Sequence, residues 1–355
     1  MKIETQFHKA FKLQGESFNS SEEIIVFSKI ISLEMHSFLK QWFNTSSFIE
    51  VKTSGSTGKP KVIQLQKTHM KNSAIATGNF FSLPENTTAL LCMSPNYIAG
   101  KMMLVRALTL GWHLEVVEAT SKPLENTSKV YDFAAMVPLQ LTSSLSEIYK
   151  VKKLIVGGGG VSKELLGKIQ KISTEVFATY GMTETITHIA VKKLNNFGNV
   201  IASEMKQSHY KLLPDIKIFL DSRGCLVIVA PKISSEKIIT NDLVELISET
   251  EFMWLGRFDS IINSGGIKLI PEQIEEKLAT IIKQRFFVTG ILDEVLGEKL
   301  ILIVEGTKDN SILTSVKKLK ILSKFEIPKE IFFTNQFIET ETRKISRKET
   351  LKIVI

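Results

Sequence analysis

The chain has little cysteine and no long apolar run, and each lack excludes a class of protein. Only two of its 355 residues are cysteines, Cys92 and Cys225, and they stand in apolar stretches without metal-ligand spacing. A disulfide-rich secreted fold is therefore excluded, and two buried thiols in a reducing cytoplasm are expected. The longest apolar runs, such as 226–230 and 300–304, are far shorter than the ~20 residues that cross a bilayer. The first five residues also lack the pattern of a signal peptide, so no membrane span is predicted.

Clusters of basic residues interleaved with aromatics are also missing, although the formal net charge is +8. Nucleic-acid binding surfaces usually carry such clusters, so no nucleic-acid partner is expected. A positive balance suits anionic small molecules, and it equally suits a basic solvated surface. A hydrophobic fraction of 43% with 23% charged residues is that of a globular protein, and 355 residues are enough for one large and one small domain.

What the chain does contain is a loop rich in hydroxyls and glycines between two short β-type runs. Its sequence is Thr53-Ser54-Gly55-Ser56-Thr57-Gly58-Lys59-Pro60-Lys61. Glycines let the backbone turn tightly and expose its N–H groups, while hydroxyls and lysines add donors and positive charge, which suits a polyphosphate. The spacing differs from the common P-loop, and Pro60 biases Lys59 toward extended geometry, so a strand is expected next. By itself such a run is more often a plain hairpin loop.

Apolar periodicity divides the rest of the chain into alternating helices and strands. A helix is predicted from Ser20 or Ser21 to Trp42, and others over 67–81 and 138–149. Strands are predicted over 88–93, 131–136 and 175–178. The pattern is β-rich from 198 to 231, and a small β/α region follows helix 271–278. The predicted fold class is α/β, with a large N-terminal domain of mixed α/β sheets that includes a β-rich subdomain, and a small C-terminal α+β domain.

Two strands in the middle of the chain run into turns that suit ligand binding. Strand 154–156 is followed by the glycines 157–160 and then a helix, the layout in which α/β proteins bind ligands at strand ends, although a tight turn is the plain alternative. Strand 175–178 is followed by Thr179-Tyr180-Gly181-Met182-Thr183-Glu184-Thr185. Tyr180 can stack on a flat ring. Glu184 offers a hard oxygen ligand for Mg²⁺, which usually binds one or two carboxylates plus phosphates.

Two shorter motifs follow, Thr240-Asn241-Asp242 and Gly256-Arg257-Phe258-Asp259. Together with the 53–61 loop and the pentapeptide 180–184, and in this order, they resemble the signatures of the adenylate-forming (AMP-binding) superfamily, which includes acyl-CoA synthetases, adenylation domains of peptide synthetases, and luciferases. A chance match of the pentapeptide at this distance from the first loop is rare. The resemblance covers about residues 51–347. Asn241 replaces the usual glycine, but both tolerate a positive φ. The segment before the loop is shorter than in larger members.

The resemblance implies a binding site for ATP and Mg²⁺. The residues implied to contact the nucleotide are Thr53, Ser54, Gly55, Ser56, Thr57, Gly58, Lys59, Gly158, Gly159, Tyr180, Gly181, Met182, Asp242 and Arg257. Within that set, Tyr180 would stack on adenine, and Asp242 and Arg257 would reach the ribose. Glu184 would be the metal ligand.

The family's chemistry implies three catalytic residues, Thr183, Glu184 and Lys344. Thr183 and Lys344 would contact the α-phosphate. Arg343 stands where the family has glycine, and this change could tilt the loop or block Lys344. A solvated basic tail is the alternative for this segment.

The same resemblance implies two domains, 1–258 and 259–355, with Asp259 as the hinge between them. Gly265 and Gly266 would let the backbone approach the thin pantetheine arm of coenzyme A, the second cosubstrate. The small domain would swing about Asp259 between the two steps of the reaction.

A mostly apolar helix after Ser94–Gly100 carries two cations, Lys101 and Arg106. Burying a cation there is costly unless it is paired. Lys101 could extend to water, whereas Arg106 lies deeper in the apolar run and its fork matches a carboxylate. The resemblance implies that this helix walls the acyl pocket. Four substrate-binding residues are implied: Tyr97, Lys101, Arg106 and His188.

The implied activity is that of an AMP-forming acid–CoA ligase acting on a small carboxylic acid. A compact chain with a cationic pocket helix resembles the 2-succinylbenzoate–CoA ligases of menaquinone synthesis, so an acid with a second carboxylate is expected. Another aryl- or acyl-CoA ligase, a carrier-protein-loading adenylation domain and a non-catalytic nucleotide or acyl binder are the alternatives. Because no carrier segment follows within the sequence, coenzyme A is favoured as the acceptor. Monomer and homodimer both stay open.

Overall fold

A computed structural model describes residues 6–52, 62–195, 209–340 and 345–355 of the chain. The helices of this part are α1 (Ser21–Ser28), α2 (Leu33–Phe43), α3 (Lys67–Phe81), α4 (Ile98–Leu110), α5 (Pro138–Ser143), α6 (Lys163–Ile169), α7 (Pro271–Leu278), α8 (Asn310–Lys318) and α9 (Arg347–Val354). Single 3-10 turns occur at Ile148–Lys150, Thr183–Thr185 and Phe258–Ser260.

The strands of the described ranges fall into two large sheets and one hairpin. They are β1 (Lys12–Leu13), β2 (Glu16–Ser17), β3 (Phe48–Lys52), β4 (Val62–Gln66), β5 (Thr88–Leu91), β6 (His113–Val116), β7 (Tyr131–Met136), β8 (Val151–Val156), β9 (Glu175–Gly181), β10 (His188–Lys193), β11 (Tyr210–Leu212), β12 (Lys217–Leu220), β13 (Cys225–Val229), β14 (Ile238–Ser248), β15 (Glu251–Arg257), β16 (Ile262–Ser264), β17 (Ile267–Leu269), β18 (Phe286–Asp293), β19 (Gly297–Glu305) and β20 (Glu330–Thr334).

The larger sheet changes from parallel to antiparallel pairing at one point. Its strand order is β12-β13-β14-β15-β11-β10-β9-β8-β7-β5-β6-β1-β2. Strands β6, β5, β7, β8 and β9 pair in parallel, whereas β9 and β10, and each pair from there to β12, are antiparallel. The segment that joins β9 to β10 contains Thr183 and Glu184. It therefore lies where the carboxyl ends of the parallel strands meet the antiparallel part.

Helices α3 and α4 cover one face of the parallel strands and pack against each other. Residues 100–108 of α4 are all buried, and α3 buries Ser73 and Thr77 among its apolar contacts. A second core fills the opposite face of the sheet and includes Cys92. Both cysteines are buried and free, as predicted. The hydroxyls of Ser73 and Thr77 on α3 and the cations Lys101 and Arg106 on α4 thus lie inside the molecule.

The smaller sheet has the order β17-β16-β19-β18, and β20 pairs in parallel with β19. Helix α7 packs on β18 and also contacts β15 of the larger sheet. The predicted hinge, Asp259, lies in the 3-10 turn between the last strand of one sheet and the first strand of the other. The division into domains 1–258 and 259–355 stays a prediction.

Two predicted helices are shorter than the sequence pattern indicated. The helix predicted from Ser20 to Trp42 is wrong as one element, because Ser32 accepts a hydrogen bond from the Met35 N–H at 3.0 Å and begins α2 as a new helix. The helix predicted to Tyr149 ends at Ser143, and a separate 3-10 turn follows at 148–150. Apolar spacing alone does not locate such breaks, since a hydroxyl cap can interrupt a run without disturbing its period.

Candidate active site

Asp242 is the centre of one cluster at the junction of the sheet. Its Oδ2 accepts a 2.6 Å hydrogen bond from the hydroxyl of Tyr180, and its Oδ1 accepts a 3.1 Å bond from the indole N–H of Trp254. Arg257, its register partner on β15, brings Nη1 to 3.8 Å from Oδ1. Burial and the neighbouring carboxylate raise the pKa of Tyr180. Three of the predicted nucleotide residues, Tyr180, Asp242 and Arg257, therefore meet in one place.

Arg257 also forms an ion pair with the predicted hinge residue, Asp259. Its Nε and Nη2 donate to the two carboxylate oxygens of Asp259, each over 2.8 Å. This bidentate pair lowers the pKa of Asp259 and raises the pKa of Arg257. Ser260 donates to Glu272 of α7 at 3.0 Å. The turn between the two sheets is thus tied to the Asp242 cluster on one side and to α7 on the other.

The chain reverses between β9 and β10 through a strained turn. Ile186 is buried and has φ +66 and ψ −59, which for a β-branched residue is a genuine outlier, and the Thr187 N–H bonds to Thr185 O at 2.7 Å. Such a conformation costs about 1–3 kcal/mol, and residues in such conformations cluster at active sites and ligand-binding sites. Across the turn, a Cβ on Gly181 would lie 2.6 Å from Cα of His188, so only glycine fits there. The close approach directs His188 inward, while Glu184 stays exposed.

A second cluster, the Arg106 cluster, consists of Thr77, Arg106, Thr187 and His188. Arg106 is 1% exposed. Its Nε donates to Thr77 Oγ1 and its Nη2 to Thr187 Oγ1, both at 3.4 Å, and its Nη1 lies 3.6 Å from the sulfur of Met103. Burial lowers the pKa of Arg106 to about 9, so the group is still charged at neutral pH. Within the described ranges, no carboxylate pairs with it.

His188 of the same cluster is neutral. Burial, with the nearby Arg106 charge, lowers the pKa of His188 well below its ordinary value. Its Nε2 lies 3.5 Å from Thr77 Oγ1. His188 of β10 pairs with Gly181 of β9, and Gly181 follows Tyr180 directly in the chain. His188 of the Arg106 cluster therefore lies next to Tyr180 of the Asp242 cluster. The two clusters therefore adjoin along the same pair of strands.

Lys101 has a different environment from the one expected of a substrate-binding residue. Its Nζ donates to the carbonyls of Pro95 and Asn96, at 2.6 and 3.0 Å, and lies 5.7 Å from the centre of the Phe38 ring. Burial lowers the pKa of Lys101 to about 8. Through these contacts Lys101 holds the turn that leads to Tyr97. The side chain of Tyr97 is exposed.

The predicted glycines occupy two turns. Gly157, at the end of β8, lies against the side chain of Thr179, so the glycine run 157–160, with Gly158 and Gly159, adjoins the end of β9. Gly265 and Gly266 form the β16–β17 turn of the smaller sheet, both with positive φ.

Another predicted nucleotide residue, Met182, lies in the turn between β9 and β10. It donates its N–H to the hydroxyl of Thr185 at 2.8 Å.

Eight predicted site residues lie outside the described residues. They are Thr53, Ser54, Gly55, Ser56, Thr57, Gly58, Lys59 and Lys344. Arg343 lies outside them too.

Sequence reasoning missed several residues of these clusters. Trp254 on Asp242, and Thr77 and Thr187 on Arg106, were not predicted to belong to a site. Ser73 and Thr77 are spaced i, i+4 on α3, and this pairing of hydroxyls in an otherwise apolar face was the available signal. Nothing in the local sequence indicates the turn at Ile186.

The predicted metal ligand, Glu184, has an exposed side chain. In the part of the chain that the structure describes, no group of three or more His, Cys, Asp or Glu side chains could hold a metal ion. The exposed carboxylate of Glu184 fits Mg²⁺ under one condition, that phosphate oxygens supply most of its other ligands. The described helices also include none that is long and apolar enough to cross a bilayer.

Comparison with known proteins gives the family. A family model described as AMP-binding enzyme matches residues 52–211. A solved protein from Dyadobacter fermentans, described as acyl-CoA synthetase (AMP-forming)/AMP-acid ligase II-like, is 35% identical, with 90% of this chain and 93% of that chain covered and a TM-score of 0.59. The chain belongs to the AMP-binding enzyme family.

Other similar proteins are 2-succinylbenzoate–CoA ligases. Those of Geobacillus sp. and Enterococcus faecalis are 25% and 24% identical over 85% and 88% of this chain, and the matches cover 68% and 72% of their lengths. The O-succinylbenzoate coenzyme A synthetase of Bacillus subtilis, solved with ATP and magnesium, has a TM-score of 0.73 at 18% identity, over 94% of this chain and 82% of that chain.

These comparisons confirm two of the predictions made from the sequence. The α/β fold class of the adenylate-forming enzymes is confirmed. The enzyme class, an AMP-forming acid–CoA ligase, is confirmed for this member of the AMP-binding enzyme family.

Proposed function

We propose that this enzyme joins 2-succinylbenzoate to coenzyme A through an acyl-adenylate, in the cytoplasmic synthesis of menaquinone. The single observation that carries the choice of acid is the buried guanidinium of Arg106, for which the described residues supply no carboxylate. An acid with two carboxylates could present one to ATP and the other to Arg106. The names of the similar ligases supply the candidate acid.

The environment of Arg106 differs from that of an ordinary buried cation in this chain. Lys150 is also buried, but its Nζ lies 3.0 Å from a carboxylate oxygen of Glu147 and 3.0 Å from the carbonyl of Leu124. Arg106 has only two hydroxyls at 3.4 Å and a thioether. A buried charge without a partner is costly, and a substrate carboxylate would offset that cost through charge-assisted bonds. The neutral ring of His188 adds no competing charge to this site.

The Asp242 cluster would hold the nucleoside. Each carboxylate oxygen can accept two hydrogen bonds, so Asp242 keeps acceptor capacity for ribose hydroxyls while it holds Tyr180 and Trp254. The ring of Tyr180 and the neighbouring glycine turn at Gly158 and Gly159 would enclose adenine. Arg257 would reach the ribose from the next strand.

In the first step, a carboxylate oxygen of the acid attacks the α-phosphorus of ATP, and pyrophosphate leaves. Both reactants are anions, so the chain must supply donors and positive charge where negative charge accumulates. The loop 53–61, the Thr183 hydroxyl and Lys344 are the proposed sources. Glu184 would hold Mg²⁺, which when bound neutralises charge on the phosphates.

In the second step, the thiol of coenzyme A attacks the acyl carbon of the adenylate, and AMP leaves. A small domain, 259–355, would turn about Asp259 so that Gly265 and Gly266 replace Lys344 at the site. The short turn at 258–260, held by Arg257 and Glu272, is the place where a few dihedral angles could absorb the movement.

The test is magnesium-dependent ATP–pyrophosphate exchange across a panel of carboxylic acids, followed by product analysis with coenzyme A. We expect 2-succinylbenzoate to support exchange, and we expect its CoA thioester to accumulate. Arg106→Gln should raise the KM for this acid at least tenfold, and should change the KM for a monocarboxylic acid much less. Lys150→Met is the matched control, since it removes a buried cation elsewhere.

Three results would change the proposal. Exchange with monocarboxylic acids alone would indicate another aryl- or acyl-CoA ligase. Thioester formation only on a phosphopantetheinyl protein would indicate a carrier-loading adenylation domain. No exchange with any acid would indicate a nucleotide or acyl binder without catalysis.

A further inference from the structure

The hydroxyl of Thr77 is the meeting point of the Arg106 cluster. Thr77 is fully buried on α3, and its Oγ1–H donates to the carbonyl of Ser73 at 3.0 Å. A hydroxyl has one proton, so its two lone pairs must accept the other contacts. Nε–H of Arg106, at 3.4 Å, is therefore a donor to Thr77, and Nε2 of His188 lies 3.5 Å from the same oxygen.

The hydroxyl of Thr77 holds the Nε end of the Arg106 guanidinium. The opposite end, with Nη1 and Nη2, makes only weak contacts. At that end, Nη1 meets only the weak acceptor sulfur of Met103, and Nη2 meets Thr187 at 3.4 Å. A guanidinium carries five N–H donors in a rigid plane, so holding Nε on Thr77 also sets the direction of the Nη1–Nη2 fork.

A second hydroxyl, that of Ser73, lies on the same face of α3 as Thr77. Ser73 is 1% exposed, and its Oγ has no hydrogen-bond partner among the described residues. It precedes Thr77 by four residues and so lies on the same side of the helix. A buried hydroxyl without a partner is costly, which makes Ser73 a second polar group that a ligand carboxylate could satisfy.

We propose that Thr77 is the positioning residue that gives this enzyme its preference for acids with two carboxylates. By holding Nε of Arg106, its hydroxyl presents the Nη1–Nη2 fork to the carboxylate that does not react. Thr77 acts through Arg106 and takes no part in the transfer of the acyl group. The inference rests on the proposed function, because it assigns a specificity determinant to the same acyl site.

The experiment compares Thr77→Val with Thr77→Ser, using two acids. Valine keeps the shape of threonine without its hydroxyl, whereas serine keeps the hydroxyl. The acids are 2-succinylbenzoate and 4-oxo-4-phenylbutanoate, which lacks the ring carboxylate. We expect Thr77→Val to raise the KM for the dicarboxylic acid about tenfold, or about 1.4 kcal/mol, with kcat and the KM for the monocarboxylic acid nearly unchanged. Thr77→Ser should restore most of the preference.

The other outcomes separate this inference from the proposed function. Wild-type protein that exchanges pyrophosphate with 2-succinylbenzoate, together with a Thr77→Val variant of unchanged preference, would overturn the role of Thr77 alone. Equal losses on both acids would also overturn it, since they would indicate a packing defect, and so would a serine variant that behaves like valine. Wild-type protein that neither exchanges pyrophosphate nor gains thermal stability with the dicarboxylic acid would overturn both.

Discussion

The hydroxyl of Tyr180 donates to Oδ2 of Asp242 across 2.6 Å, and so joins the last parallel strand of the sheet to its antiparallel part. The two residues are 62 positions apart in the chain. The bond aims the Asp242 carboxylate, which Trp254 holds from the other side. Any ligand that uses Asp242 therefore meets a carboxylate already held in place.

Removing that hydroxyl should weaken both the fold and the nucleotide site. We expect Tyr180→Phe to lower the free energy of unfolding by about 1 kcal/mol, since a buried carboxylate loses one donor. The KM for ATP should rise several-fold in pyrophosphate exchange. The exposed Tyr149→Phe is the matched control. An unchanged unfolding curve for Tyr180→Phe would show that the hydrogen bond contributes nothing to stability.

A substitution at Gly181 would test the close contact between β9 and β10. In Gly181→Ala the new methyl group would press on Thr187 O and lie 2.6 Å from Cα of His188, both backbone atoms that cannot turn away. We expect a loss of about 3 kcal/mol in the free energy of unfolding, measured by chemical denaturation. Gly160→Ala is the control, because its Cβ would meet no atom within 4 Å. Equal effects at the two glycines would contradict the assigned contact.

The buried amino group of Lys101 should make the free energy of unfolding depend on pH. Burial lowers its pKa from 10.5 to about 8. Between these values the folded protein has released a proton that the unfolded chain still binds, so stability from this group rises with pH over that range. The difference in the free energy of unfolding between wild type and Lys101→Met should therefore grow in favour of wild type from pH 8 to 10.5. Lys40→Met controls for the loss of an exposed lysine. A difference that is constant with pH would argue against a buried ammonium.

The two cysteines should be unreactive in the folded protein. Burial raises the pKa of Cys92 to about 12 and raises the pKa of Cys225, and both side chains have no exposed surface. Because the thiolate is the reactive form, a disulfide reagent such as dithiobis(nitrobenzoate) should titrate neither residue in mildly alkaline buffer and both in denaturant. Rapid modification of the native protein would contradict their burial.

Helices with strong local signals were predicted well from the sequence. Helix α3 has the predicted bounds, Lys67–Phe81, and α7 begins at Pro271 and ends at Leu278 as expected. Proline at the first helical position and the apolar period are properties of neighbouring residues, so no tertiary contact is needed to recognise them. The family signatures, too, are short and local, and they were sufficient to predict the fold class.

The roles of individual side chains depended on contacts that the sequence does not encode locally. Lys101 and Arg106 lie on the same mostly apolar helix, five residues apart. Only the fold gives Lys101 two carbonyls from the preceding turn and gives Arg106 the hydroxyl of Thr77, 29 residues away. From the sequence, Arg106 was preferred as the carboxylate-binding residue because it lies deeper in the apolar run than Lys101. The partners of the two cations could be identified only from the packing of the folded chain.

The sequence by itself therefore determined the family, the order of the elements and the residue types available for the chemistry, because motifs and periodicity are carried by residues close together in the chain. The tertiary structure alone decided that Tyr180 meets Asp242, that Ile186 adopts a strained turn, and that Arg106 lies against Thr77 with no carboxylate in the described part of the chain. These relationships join strands and helices far apart in sequence. Hydrogen-bond geometry and the cost of burying a charge act only once packing has brought such groups together.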